Sequence, residues 1–308
     1  MVNQVIAEFV FWILHYAWIV GCKIILCTIN SRESHIHPNA KSMGLIVPFQ
    51  RCDELCTQTL GYSIRGGKKM SETKHKFTWL GHATFLIETI KGRRIIIDPW
   101  LENNPSCPDQ FKKMDQCDLI LLTHAHFDHM GDVIPLAKST HATVVGIVEL
   151  MHWLEKKGVR NIQSMNKGGT IHYDGISATM VHAEHTSSIT DGDQIIYAGE
   201  PIGYVVRLED GFTFYHAGDT NVFGDMQLIR ELYHPQLSML PIGDHYTMSP
   251  LEAMKAIHLI GSRDVIPMHF GTFPLLTGTP DTLTNLTHQI PNLRIHTLKP
   301  GESLQMPE

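Results

Sequence analysis

Cysteine is scarce through most of this chain: Cys22, Cys27, Cys52 and Cys56 fall in the first 69 residues, leaving only Cys107 and Cys117 after them. Two thiols are too few to staple a domain of that size, and the first four match no metal or redox spacing, so a reducing, cytoplasmic setting is the simplest expectation. Long uncharged runs are missing as well. Residues 9–22, between Glu8 and Lys23, form an uncharged run of 14, short of the ~20 apolar residues that span a bilayer. An anchor over residues 5–29 would need Lys23 to snorkel, and membrane contact is expected only in that case. Residues 1–8 hold no Lys or Arg, which argues against a secretory leader. Cations are few beyond residue 69, with 18 Lys plus Arg against 27 Asp plus Glu. So acidic a body lacks the surface that phosphate neutralisation requires, and no nucleic-acid partner is expected. No period of solenoid type occurs, which excludes repeat architectures.

What is present is a globular composition, 43% hydrophobic and 18% charged over 308 residues, enough for one large core. β-Branched runs punctuated by glycine predict a hairpin from 76–80 and 84–89 and a strand over 93–98. Residues 99–117 read as a loop. From 132 onward helix and strand alternate: helices over 132–139, 149–157, 225–233 and 250–260, strands over 142–148, 177–181, 203–208, 212–216, 237–240 and 264–268. Pro250 after Ser249 is good helix-start chemistry. The Ser-, Asp- and Gly-rich stretch 186–201 reads as a lid or a long surface loop. Periodicity alone gives a mixed α/β class.

Histidine, by contrast, is abundant, and its placement is pointed. Thr123-His124-Ala125-His126-Phe127-Asp128-His129 sets three imidazoles and a carboxylate within six residues, directly after the apolar run 119–122. Alternate residues at a strand end share a face, so His124 and His126 project together while Asp128 and His129 follow on the turn. Imidazole and carboxylate without thiolate suit Zn, Mn, Fe or Ni rather than a structural cysteine-type zinc. Other candidates also stand at or beyond predicted strand ends: His182 and His185 after 177–181, Asp219 beside Gly218 after 212–216, and His269 after 264–268. Strand ends are the ordinary address of a site in a layered α/β protein.

These residues resemble the metallo-β-lactamase superfamily. His124-x-His126-x-Asp128-His129 matches its signature, His185 in His182-Ala-Glu-His-Thr its third-motif histidine, Asp219 in His216-Ala-Gly-Asp-Thr its bridging carboxylate, and His269 in Pro267-Met-His-Phe its last histidine. More narrowly, Trp79-Leu-Gly-His-Ala-Thr-Phe85, Ile97-Asp-Pro-Trp100 and Leu240-Pro-Ile-Gly-Asp-His-Tyr-Thr-Met248 resemble small metal-dependent hydrolases related to L-ascorbate-6-phosphate lactonase. The resemblance covers about residues 70–308. It implies a four-layer αββα sandwich with two divalent metals, Zn or Mn foremost and Fe or Ni also compatible. Their ligands would be His124, His126, Asp128, His129, His185, Asp219 and His269, with a hydroxide between metals about 3.5–4 Å apart as the nucleophile. Asp128, as ligand and orienter of that hydroxide, and His82 and His245 are the implied catalytic residues. Asp98 reads as a turn and support residue.

The implied reaction is hydrolysis of a small ester, lactone or phosphodiester. An anionic small molecule is compatible, since metals supply local positive charge, and so is a homo-oligomer. The alternatives are a phosphodiesterase like the N-acyl phospholipid phospholipase D relatives, which share Trp-Leu-Gly-His-Ala-Thr, and a di-iron oxidoreductase. Flavodiiron relatives place Glu where this chain has His126. Residues 1–69 are read as an extension to the 70–308 domain. Met70 opens a complete hydrolase by resemblance, and Gly66-Gly67-Lys68-Lys69 just before it has codons that read as a purine-rich ribosome-binding stretch. The expected N-terminus of the protein in its natural host is therefore Met70; Edman sequencing that begins earlier would refute this.

Overall fold

In a computed structural model the described residues are 74–306, and they fall within one compact unit that starts at Lys69. The extension over 1–69 and the anchor considered for 5–29 lie outside them. Among the described residues no helix is long and apolar enough to cross a membrane.

Two seven-stranded sheets carry the fold. The first runs β16-β1-β2-β3-β4-β5-β6, with β1 at His75–Trp79, β2 at Phe85–Glu88, β3 at Arg94–Ile97, β4 at Leu119–Leu121, β5 at Thr143–Ile147, β6 at Ile162–Met165 and β16 at Ser303–Met306. The second runs β15-β14-β13-β12-β11-β8-β7, with β7 at Thr170–Tyr173, β8 at Ile176–His182, β11 at Ile202–Arg207, β12 at Thr213–His216, β13 at Leu237–Pro241, β14 at Asp264–Met268 and β15 at Arg294–Ile295. In each sheet an antiparallel meander gives way to parallel strands, at β3–β4 in the first and at β12–β13 in the second.

The sheets pack face to face because their strands are apolar on the inner side. Phe77 meets Phe214 edge-on at 5.2 Å between ring centres. From β11, the buried Tyr204 hydroxyl donates to the carbonyls of Leu122 and Val145 at 3.1 Å each, tying one sheet to the other where no water can reach. Helices flank the sheets: α2 (Val133–Thr140) and α3 (Val148–Lys156) belong to the first half, and α4 (Met226–Tyr233), α5 (Pro250–Ile260) and α6 (Pro280–Thr287) to the second, while the single turn α1 (Phe127–Met130) lies in the loop after β4. The Ser249 start of α5 is a full capping box with Glu252 and has Pro250 in the first turn, which satisfies amide groups that would otherwise lack partners. The expected αββα class is thus the observed one.

One expectation is corrected. The segment 186–201 is a separate antiparallel hairpin, β9 (Ser188–Asp191) with β10 (Gln194–Tyr197), rather than an irregular loop. It stays legible as a strand pair only through its backbone, since Ile195 and Tyr197 face solvent and no buried alternation marks it. Strands β6, β7, β15 and β16 and helix α6 were not anticipated either; β16 closes the edge of the first sheet by pairing Met306 with His75.

One geometric outcome positions everything that follows. Strands β1, β3 and β4 run the same way in the first sheet, as do β8, β12, β13 and β14 in the second, and side chains just beyond their carboxyl ends meet at one rim, His129 with Asp219 and His82 with His269.

Candidate metal centre

Every rim loop but the one after β13 contributes a side chain to the centre. His82 follows β1, Asp98 follows β3, His124, His126, Asp128 and His129 follow β4, His185 follows β8, Asp219 follows β12, and His269 follows β14. Three of these positions, His82, Asp98 and His269, adopt left-handed backbone with φ of 55°, 49° and 55°, a conformation non-glycine residues reach only when the surroundings impose it. The surroundings do so here: the His82 carbonyl accepts from the His269 amide and from the Trp79 indole, both at 2.9 Å. Gly218 has φ of +63°, and a Cβ there would lie 2.8 Å from Cβ of Thr123. Only glycine lets the turn before Asp219 come that close to the opposite sheet.

Asp219 is the hub. Its Oδ2 lies 3.0 Å from Nε2 of His269, 3.2 Å from His129, 3.7 Å from His185 and 3.9 Å from His124. Yet Asp219 Oδ1, His129 Nε2 and both ring nitrogens of His269 are buried without a hydrogen-bond partner. Buried polar atoms are nearly always paired, and an unpaired one costs on the order of 1–3 kcal/mol. Several together, with Nε2 of His129 and of His269 each able to present a lone pair beside the Asp219 carboxylate, are the signature of a cation site, and imidazole with carboxylate fits a divalent metal. The ligand atoms fall into two separate sets, His124 with His126 and His185, and Asp128 with His129, His269 and His82, and a third, Asp98 with His124 and His129, shares a member with each.

Outer contacts fix the tautomers. The Thr123 hydroxyl donates to Asp98 Oδ2 at 2.6 Å, so at 3.0 Å it must accept from Nδ1–H of His124, leaving the lone pair on His124 Nε2, 3.1 Å from Nδ1 of His126 and 3.9 Å from Asp219. His129 donates Nδ1–H to the same Asp98 oxygen at 2.8 Å, and again Nε2 is turned inward. Asp98 is therefore the group that orients two candidate ligands, the usual partnership of a carboxylate with metal-binding histidine. The sequence reading assigned it only support. His82 places Nε2–H on Asp128 Oδ2 at 3.1 Å, while Nδ1 accepts from the Thr272 hydroxyl at 3.1 Å. One carboxylate oxygen of Asp128 is thereby occupied, and the other is left for the centre.

The electrostatics follow from burial and neighbours. Burial pushes His124 well below the ordinary histidine range, and pushes His126 and His185 down as well, so all three are neutral and able to ligate. Burial lowers His82 to about 4, helped by the charge of His269. For His129 burial acts the same way but is outweighed by the carboxylates of Asp219 and Asp98, which hold it well above the usual value. Burial would raise both acids. The His129 and His269 charges instead keep Asp219 well below the carboxylate range, and the His82 hydrogen bond with the His129 charge keeps Asp128 at about 2.

His182 and His245 lie apart from this group. His182 interacts with Lys167 at 3.0 Å and Glu184 at 3.3 Å at the surface. Asp244 and His245 both have positive φ, 67° and 55°, and this double left-handed turn leaves His245 exposed with its ring against Tyr246. Tyr246, which sequence reasoning passed over, lines the cavity above the centre instead. That cavity, about 780 Å³, has the candidate ligands His126, Asp128, His185, Asp219 and His269 at its floor and Phe127, Tyr246, Phe273, Pro274 and Leu275 around its mouth.

Fold and centre together define a metal-dependent hydrolase of the metallo-β-lactamase superfamily, and residues 93–270 match the family model described as Beta-lactamase superfamily domain. A UPF0173 metal-dependent hydrolase of Koribacter versatilis is 52% identical over 228 residues, covering 74% of this chain and 97% of its own length. One from Rubrobacter xylanophilus is 50% identical over 231 residues, covering 74% and 96%. Among solved structures, Igni18, a metallo hydrolase from the hyperthermophilic archaeon Ignicoccus hospitalis, superposes with a TM-score of 0.68 at 34% identity, over 77% of this chain and all of its own. The chain belongs to the UPF0173 family of metal-dependent hydrolases.

Proposed function

We propose that this hydrolase holds two divalent cations, one on His124, His126 and His185 and the other on Asp128, His129 and His269, with Asp219 shared between them, and cleaves a small ester, lactone or phosphodiester. The observation that carries this reading is the convergence of four histidine nitrogens on Asp219 Oδ2 within 3.0–3.9 Å. When bound, such a pair supplies Lewis acidity to a carbonyl or phosphoryl oxygen and lowers the pKa of a water toward neutrality. The chain's own part is positional. Asp98 holds the His124 and His129 rings with their Nε2 atoms inward. Asp128, ionised at any physiological pH, presents its free oxygen toward the centre and can accept a hydrogen bond from the attacking water. His82 fixes Asp128 from behind, acting on the reaction through that carboxylate. The donor set favours Zn or Mn and is compatible with Fe or Ni. Cys107 and Cys117 are both free, with burial pushing their thiols to about 11 and about 12.

The test is elemental analysis of the purified full-length chain, coupled to assays on carboxylic esters, lactones and phosphodiesters before and after chelation. Two cations per chain, with turnover lost on chelation and restored by Zn or Mn, are expected. One cation at full activity, or iron with redox turnover and no hydrolysis, would overturn the reading. His82→Ala should lower turnover by roughly 10–100-fold, the range seen when a ligand's outer partner is removed. His82→Gln, which can still donate to Asp128, should recover part of that loss; equal defects in both variants would show that His82 acts otherwise.

A further inference from the structure

The floor of the cavity is polar and its mouth is not. Phe127 sits in sequence between two candidate ligands, yet its side chain is 66% exposed, and across the opening Leu275 is 50% and Tyr246 51% exposed. Exposed large apolar side chains are unremarkable when scattered, but a contiguous set around a concave site marks what the site binds. This set is also braced. Trp100, which is buried, backs both Phe127 and Phe273 with ring centres 5.8 Å away in each case. Among the described residues that line the cavity there is no Lys and no Arg. A phosphate or carboxylate on the part of a substrate that reaches the mouth would lose its hydration and gain no cation. The polar atoms offered above the candidate ligands are the hydroxyls of Tyr246 and the exposed Thr186, both suited to an uncharged partner rather than to an anion.

Resting on the two-cation reading above, we propose that the substrate carries an apolar acyl or aryl group beside the scissile bond, seated against Phe127, Phe273 and Leu275, and no charged group there. A phosphorylated sugar lactone is then the wrong class, and an ester or lactone with an aliphatic or aromatic substituent the right one.

Hydroxamates test this independently of turnover, because the head group binds the cations while the tail reads the mouth. Acetohydroxamate, octanohydroxamate and the monohydroxamate of suberic acid, whose tail of similar length ends in a carboxylate, would be titrated calorimetrically into the zinc-loaded full-length protein. Each methylene buried is worth roughly a factor of four, so even partial burial of the long tail should make octanohydroxamate at least roughly 30-fold tighter than acetohydroxamate. The suberic compound should gain little. Leu275→Arg should shift preference from the octanoyl toward the suberic ligand with metal content unchanged. Equal affinity for all three, or tightest binding of the suberic compound to the unmodified protein, would overturn the inference. Tail preference without hydrolysis of any ester, lactone or phosphodiester would sink the proposed reaction while leaving the apolar mouth standing; hydrolysis without tail preference would sink this inference alone. A zinc-loaded chain that binds none of the hydroxamates fails both.

Discussion

Asp219→Ala is expected to lower kcat/KM by about 10³-fold or more, equivalent to about 4 kcal/mol of transition-state stabilisation, and to reduce bound metal from two per chain to one or fewer. The carboxylate touches both candidate ligand sets, and its removal leaves His129 and His269 buried without the charge that organises them. A buried charge deprived of its partner is strongly destabilising, so the variant should also unfold more readily. Asp219→Asn separates the effects, since it keeps the volume and loses the charge. Elemental analysis and steady-state kinetics on both variants decide the matter: full metal content with near-normal turnover in Asp219→Asn would show that the carboxylate does not bridge.

The second large effect is acid sensitivity of the metal-free protein. His82, His124, His126 and His185 all have folded-state pKa values depressed by burial. For a depressed imidazole the unfolded chain takes up its proton first, so stability falls as pH drops below about 6.5 and keeps falling to the folded value. With a folded value of about 4, His82 alone is worth roughly 3 kcal/mol between pH 6.5 and 4. His129 has the opposite sign. Its raised folded pKa means a contribution fully present below about 6.5 and lost only as pH rises through the elevated value. The depressed pKa values of Asp128 and Asp219 give stability present above about 4 and lost on further acidification. In the window between pH 6.5 and 4 the four depressed histidines therefore prevail. Urea unfolding in the presence of chelator should show a much lower midpoint at pH 4 than at pH 7, and loading with metal at pH 7 should raise it. Equal midpoints at the two pH values would mean that these rings are not buried neutral.

The candidate centre was legible in the sequence to the extent that its candidate ligands stand next to strand ends. His124, His126, Asp128 and His129 crowd behind one apolar strand, and Asp219 and His269 each terminate another, so residue type and position point the same way. Asp98 was harder. Its partners Thr123 and His129 lie 25 and 31 residues away, and nothing local distinguishes an orienting carboxylate from a turn. Nor does local pattern show that Tyr246 lines the cavity while His245 is exposed, because that placement depends on two consecutive left-handed residues, neither of them a glycine. The hairpin of β9 and β10 escaped for a different reason: it carries few buried side chains, and burial alternation is what makes a strand visible. Element β15, two residues long, is held by its parallel neighbour rather than by any preference of its own.

The division of ligands between the sheets has a consequence for biosynthesis. During synthesis from the N-terminus, the first half emerges with His124, His126, Asp128 and His129 but without His185, Asp219 or His269. Neither cation set is complete at that point. The triad of His124, His126 and His185 can close once β8 has paired, whereas the partner set must wait for His269 at the end of β14, after both halves of the sandwich have been made. On the two-cation reading proposed above, the full metal complement is thus acquired only after β14 has been made, and a nascent chain stalled before that point would expose a half-built cluster able to take up one cation.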